Sequence, residues 1–179
     1  MKKTMITKGL IATAFGVLLS TLTFAQGDKA SRPSPPSTAT GKVGGATVTI
    51  NYGSPSVKGR PIWGGLVPYD KPWRAGANEA TIFETDKDIK VEGKTLPAGK
   101  YSLFAVPGEK EWKMIFNSET GQWGIKRGGD ANMDPAKDVL SVSVKPKKAT
   151  SMAERLKYDV TGNGFTLTWE NVEVPVSLQ

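Results

Sequence analysis

"GKYSLFAVPGEKEWKMIFN", residues 99–117, decides how this chain folds. Its apolar residues recur at every second position, the period of a strand and not of a helix. In the first half Tyr101, Leu103 and Ala105 point to one face, while Phe104 and Val106 point to the other. A strand that is apolar on both faces needs cover on both, which places it in the middle of a sheet. The second half sends Trp112, Met114 and Phe116 to a single face, and "VPGEKEW" between the halves has the composition of a hairpin turn.

The same period extends outward in both directions. "ATVTINY" (46–52) alternates Val48, Ile50 and Tyr52 with Thr and Asn; "TIFET" (81–85) and "DIKVEGK" (88–94) follow as short strands, the second carrying Ile89 and Val91 on one face. Toward the C-terminus, "DVLSVSVKP" sets Leu140, Val142 and Val144 inward, and "RLKYDV" does so with Leu156, Tyr158 and Val160. "GFTLTW" repeats the pattern with Phe165, Leu167 and Trp169 after an Asn163-Gly164 turn signal, and "NVEVPVSL" with Val172, Val174 and Val176. Pro175 fits an edge position, because proline has no ladder donor. About nine strands, turns at short intervals and no helical period point to an all-β chain. The architecture expected is a single antiparallel β-sandwich, jelly-roll-like, with a closed barrel as the alternative.

The two N-terminal segments read differently. Lys2, Lys3 and Lys8 followed by the apolar run Leu10–Leu19 and by "TFAQ" form the pattern of a cleaved signal peptide over residues 1–25. The apolar run is shorter than the roughly 20 residues of a membrane-spanning helix. Residues 26–40, "QGDKASRPSPPSTAT", are rich in Ser, Pro and Thr without apolar period, which predicts a disordered tether. The folded domain is then expected over 41–179, in an exported protein that is periplasmic or secreted. One domain is expected, since a chain of about 150 residues buries roughly 70% of its unfolded surface.

Composition removes much chemistry. There is no histidine and no cysteine. Ser-His-Asp and Cys-His catalysis, His- or thiolate-bound metals, disulfides and cysteine-linked lipid anchors all go with them. Three of the lysines behind the formal charge of +7 lie in the leader, so the rest of the chain is less basic than the total suggests. "KPKK" (145–148) reads as a solvated strand end, and no aromatic-basic nucleic-acid platform is present. "DANMDPAKDVLS" (130–141) spaces Asp130, Asn132, Asp134 and Asp138 like a calcium loop. However, Pro135 stands where the glycine belongs and Ser141 where the bidentate Glu belongs, so an Asx-rich turn is the better reading. Glu79, Glu84, Asp86 and Asp88 are near one another in sequence, as paired-carboxylate hydrolysis would need, but the last three read as solvated strand ends. No cofactor motif occurs.

One segment stands apart. Residues 53–81, "GSPSVKGRPIWGGLVPYDKPWRAGANEAT", form a long connection between strands, and long connections in compact domains are often functional. Trp63, Tyr69 and Trp73 offer flat faces for stacking, Arg74 a bidentate clamp for an anion, Asn78 and Glu79 directional hydrogen bonds. The competing reading makes the same residues a plug: Arg74 bridges Glu79, Asn78 caps the loop, and the tryptophans seal the core. A small ligand, a glycan or an envelope protein are the partners left open, in a non-catalytic binding module. The alternatives are a hydrolase using Glu79 and Arg74, or a structural assembly partner.

The run from Ser54 to Asn117, followed by "QWG" (122–124) and "DVLSVSVKPKK" (138–148), resembles the bacterial family numbered 2911 among the domains of unknown function, over about Gly41 to Val176. The resemblance implies export and one all-β domain containing the 53–81 segment. It implies no activity, cofactor or catalytic residue, because the family has none assigned.

Overall fold

The computed structural model describes residues 28–179, so the signal peptide expected over 1–25 lies outside the described residues. Among these residues ten strands form: β1 (Pro36–Val43), β2 (Ala46–Gly53), β3 (Thr81–Thr85), β4 (Ile89–Val91), β5 (Lys94–Leu96), β6 (Gly99–Val106), β7 (Trp112–Asn117), β8 (Asp138–Val144), β9 (Lys147–Thr161) and β10 (Gly164–Ser177). Six of them make one antiparallel sheet in the order β1-β2-β3-β6-β7-β8, β9 pairs with β10 as a long hairpin, and β4 pairs with β5. The architecture is a β-sandwich whose large sheet keeps two edges, at β1 and β8. β6 lies between β3 and β7, and its two apolar faces are both covered, as the period requires.

Between the sheet and the β9–β10 hairpin lies the main core. Val48, Ile50, Phe83, Leu103, Met114 and Phe116 face Leu156, Tyr158, Phe165, Leu167 and Trp169 across it. On the opposite face of the sheet Phe104 and Ile115 form a smaller cluster with Ala80 and Met133. Dense packing between two alternating faces is what holds a chain without disulfides together.

The N-terminal expectation needs correction. Residues 36–40 are the first half of β1, which pairs with β2 from Pro36↔Gly53 to Val43↔Ala46, so the domain begins before Gly41. Gly44 and Gly45, with φ of 53° and 84°, close the connection in the conformation that two-residue hairpins favour. Opposed threonines, Thr40 and Thr49 at 3.2 Å, pair on the exposed face of β1 and β2, while Ala39, Gly41 and Val43 face inward opposite Ile50, Val48 and Ala46. A strand built from Ser, Thr and Ala has no apolar period to read. Further upstream, Lys29–Ser31 form a short 3-10 turn capped by Asp28, and the Pro35 carbonyl accepts from Ser54 N.

The C-terminal half also differs in detail. "GFTLTW" and "NVEVPVSL" are one strand, β10, bent at Glu170, which has φ 54° and sits between two register shifts. "DIKVEGK" turns at Glu92-Gly93 and contributes to both β4 and β5.

Candidate functional site

The long connection between β2 and β3 is ordered, and each part is bonded to the sandwich. Val57 N donates to Glu154 O and Leu156 N to Pro55 O, which lays its first residues alongside β9. Residues 61–67 close a tight loop on their own carbonyls. Gly64, at φ 77°, is needed here because a Cβ would come within 2.9 Å of the Tyr69 ring. Trp73 exchanges two backbone hydrogen bonds with Ala105 of β6, at 2.7 and 2.9 Å. Those bonds place its indole against three others. Trp63 meets Trp112 edge-on at 4.8 Å and Trp169 at 5.8 Å, and Trp73 stacks on Trp169 at 6.0 Å with 14° between planes. The four rings join the loop, the sheet and the hairpin; each such pair adds about 0.5–1.5 kcal/mol beyond the area it buries.

Immediately after Trp73 the chain turns sharply. Ala75 is fully buried with φ 52°, a conformation that costs a non-glycine residue about 1–2 kcal/mol. Its carbonyl holds the turn in place, accepting from Tyr158 Oη at 2.8 Å and from Thr81 Oγ1 at 3.1 Å. Arg74 leaves this anchored turn with its stem lying flat on Gly124, where a Cβ would fall against the Arg74 side chain, 2.9 Å from its Cβ. Arg74 Nε donates to Gly76 O at 3.2 Å. That is its single protein hydrogen bond among the described residues, and no acid there pairs with it. Burial pulls the guanidinium below its ordinary pKa, although it stays a cation at any pH of interest.

Arg74 opens into a cavity of about 310 Å³. Leu66, Pro68, Pro72, Trp73 and Ile125 supply apolar wall, and Arg60 a second cation. Trp169 also lines it, but its indole Nε1, like that of Trp63, is buried away from the cavity surface without an acceptor. A cation with free N–H groups in a concave, mostly apolar surface is an ordinary composition for a ligand site.

Asn78 and Glu79 lie elsewhere. Asn78, at φ 65°, sends its side-chain amide to Ser34 O at 2.8 Å. The Glu79 carboxylate accepts from Arg32 Nη1 with both oxygens at 3.1 Å and pairs with Lys29 at 3.2 Å. The Arg74–Glu79 bridge of the plug reading is therefore absent, since the two turns between the residues send their side chains to different cavities. Glu79 is held at about 2, first by its own backbone N–H and then by Arg32 and Lys29. Of the six residues singled out, Trp73 and Arg74 line the cavity, Trp63 and Tyr69 support the loop behind it, and Asn78 and Glu79 clasp the N-terminal segment.

Arg60 and Trp169 were missed at the sequence level. Arg60 sat in the right segment among turn residues, and Trp169 looked like any inward strand position. The calcium-like loop does structural work: Asp134 caps the 3-10 turn Pro135–Lys137, Asn132 Nδ2 donates to Trp123 O, and Asp138 accepts from Asn117. A larger cavity, about 590 Å³ between β8 and β10, contains Glu92 and Glu111. Both accept protein hydrogen bonds, from Ser177 N and Ser143 Oγ.

The family described as "Protein of unknown function (DUF2911)" matches residues 34–178, and the chain belongs to it. No curated protein and no solved structure matches the chain. The family match begins at Ser34, ahead of β1, in keeping with a domain that includes that strand.

Proposed function

Starting from membership of a family without an assigned activity, we propose that this protein is an exported, non-catalytic binding module of the cell envelope, periplasmic or secreted, whose ligand sits in the Trp73–Arg74 cavity. The observation that supports this reading is Arg74, a half-buried guanidinium fixed by Gly124 and Gly76 with its terminal nitrogens free of protein partners among the described residues. A guanidinium held this way has lost hydration without a counter-ion, and the deficit is made good when an anion arrives.

A hydrolase built on Glu79 and Arg74 finds less support. The two face different cavities, and a carboxylate held at about 2 is a poor proton donor near neutral pH. An assembly partner finds less support, since only four large apolar side chains, Leu66, Trp123, Val139 and Met152, are exposed among the described residues.

The test is fractionation of cells expressing the full chain, followed by native mass spectrometry of the purified protein beside Arg74→Gln. The expected result is recovery outside the cytoplasm with a bound small-molecule mass that the variant loses. Cytoplasmic retention, or identical spectra for the two proteins, overturns the proposal.

A further inference from the structure

Resting on that cavity being the ligand site, we infer that its ligand is a small organic carboxylate with a flat apolar body. The acid group meets the Arg74 guanidinium, and the body lies along the wall that Trp73 forms.

Charge supplies the first argument. No aspartate or glutamate lines the cavity, whereas two arginines do. The two are not equivalent. Arg60 is already committed, its Nε donating to Val57 O at 3.1 Å and its Nη2 to Ser56 O at 2.5 Å. Arg60 therefore contributes field at the rim, and Arg74 has the free fork. A planar fork of N–H groups matches the two oxygens of a carboxylate.

The walls supply the second argument. Leu66, at 47% exposed, stands with Pro68, Pro72, Trp73 and Ile125 around the charged end. A sugar presents hydroxyls on every side and needs Asn, Gln, Asp or Glu to pair them, and this cavity has none. A glycan is thus a poor fit, and so is a bare inorganic anion, which would leave the apolar wall facing water. The volume of about 310 Å³ lies at the small end of ligand sites, which limits the body to a ring or two.

Calorimetric titration of the full chain with 2-naphthoate, 2-naphthamide and inorganic phosphate tests this. The amide has the same body without the charge, and phosphate has the charge without the body. Saturable binding of 2-naphthoate, with the amide and phosphate each at least tenfold weaker, is the expected result. Arg74→Gln should weaken the acid at least tenfold and leave the amide unchanged, and Arg74→Lys should recover part of the loss. Thermal melts of the variants separate lost binding from lost folding. Equal binding of acid and amide, both abolished by Trp73→Ala, would overturn the carboxylate class while sparing the cavity as a binding site. Phosphate binding as tightly as 2-naphthoate would overturn the apolar body. No saturable binding by any of the three would overturn the cavity reading along with the class.

Discussion

The Ala75 carbonyl offers a sharp test of how the site is held. Two buried hydroxyls, Tyr158 at 2.8 Å and Thr81 at 3.1 Å, donate to this one oxygen at a turn with φ 52°. Burial, and then Tyr52, push the Tyr158 hydroxyl well above its usual pKa, so it stays a donor through the working pH range. Tyr158→Phe removes one donor and Thr81→Val the other, each with little change of shape. While one donor remains the carbonyl is satisfied, so each single change should cost about 1 kcal/mol. With both gone, a buried carbonyl is orphaned, adding about 1–3 kcal/mol of unrecovered desolvation. The double variant should therefore lose about 3–5 kcal/mol where independent sites would lose about 2. Urea unfolding of the four proteins, followed by circular dichroism at pH 7, reads this coupling directly. A double variant within about 0.5 kcal/mol of the summed singles would show that the carbonyl is satisfied in some other way, and the reasoning fails.

Two further outcomes concern the turns on either side. Glu79 is depressed from 4.5 to about 2, so its contribution is fully present above pH 4.5 and disappears as the pH falls toward 2. With the carboxylate side chain 44% exposed, solvent screening reduces that contribution to about 1 kcal/mol. Glu79→Gln should thus be less stable than wild type at pH 7 and equally stable near pH 2; a difference that grows on acidification contradicts the linkage. Gly53→Ala would drive a Cβ into the Ala77 carbonyl, 2.9 Å from its carbon, and backbone cannot swing aside. A loss of about 2 kcal/mol is expected, read as a lower urea midpoint at unchanged slope, and a neutral variant would show that the loop is free to move.

Residues 99–117 could be read correctly because a strand's facing is a local property. Side chains at i and i+2 share a face whatever the rest of the molecule does. β1 could not be read this way: Thr38, Thr40 and Lys42 have no apolar alternation, and only β2, ten or so positions on, makes that stretch a strand. The split of "VPYDKPWRAGANEAT" was equally hidden. Arg74 and Glu79 look like partners at five positions' separation, yet the positive φ at Ala75 and Asn78 turns them apart. Glu79 finds Arg32 instead, 47 positions earlier.

From sequence alone came the strand period, the inward residues of the core, the family, and the removal of histidine, thiol and disulfide chemistry. These depend on residue type and on near neighbours, which a sequence contains in full. The pairing of Glu79, the isolation of Arg74, and the meeting of Trp63 and Trp73 with Trp112 and Trp169 were decided by tertiary structure. Each requires groups far apart in the chain to meet at a few ångströms. That distance depends on how two sheets and one strained turn pack, and no local pattern of residues records it.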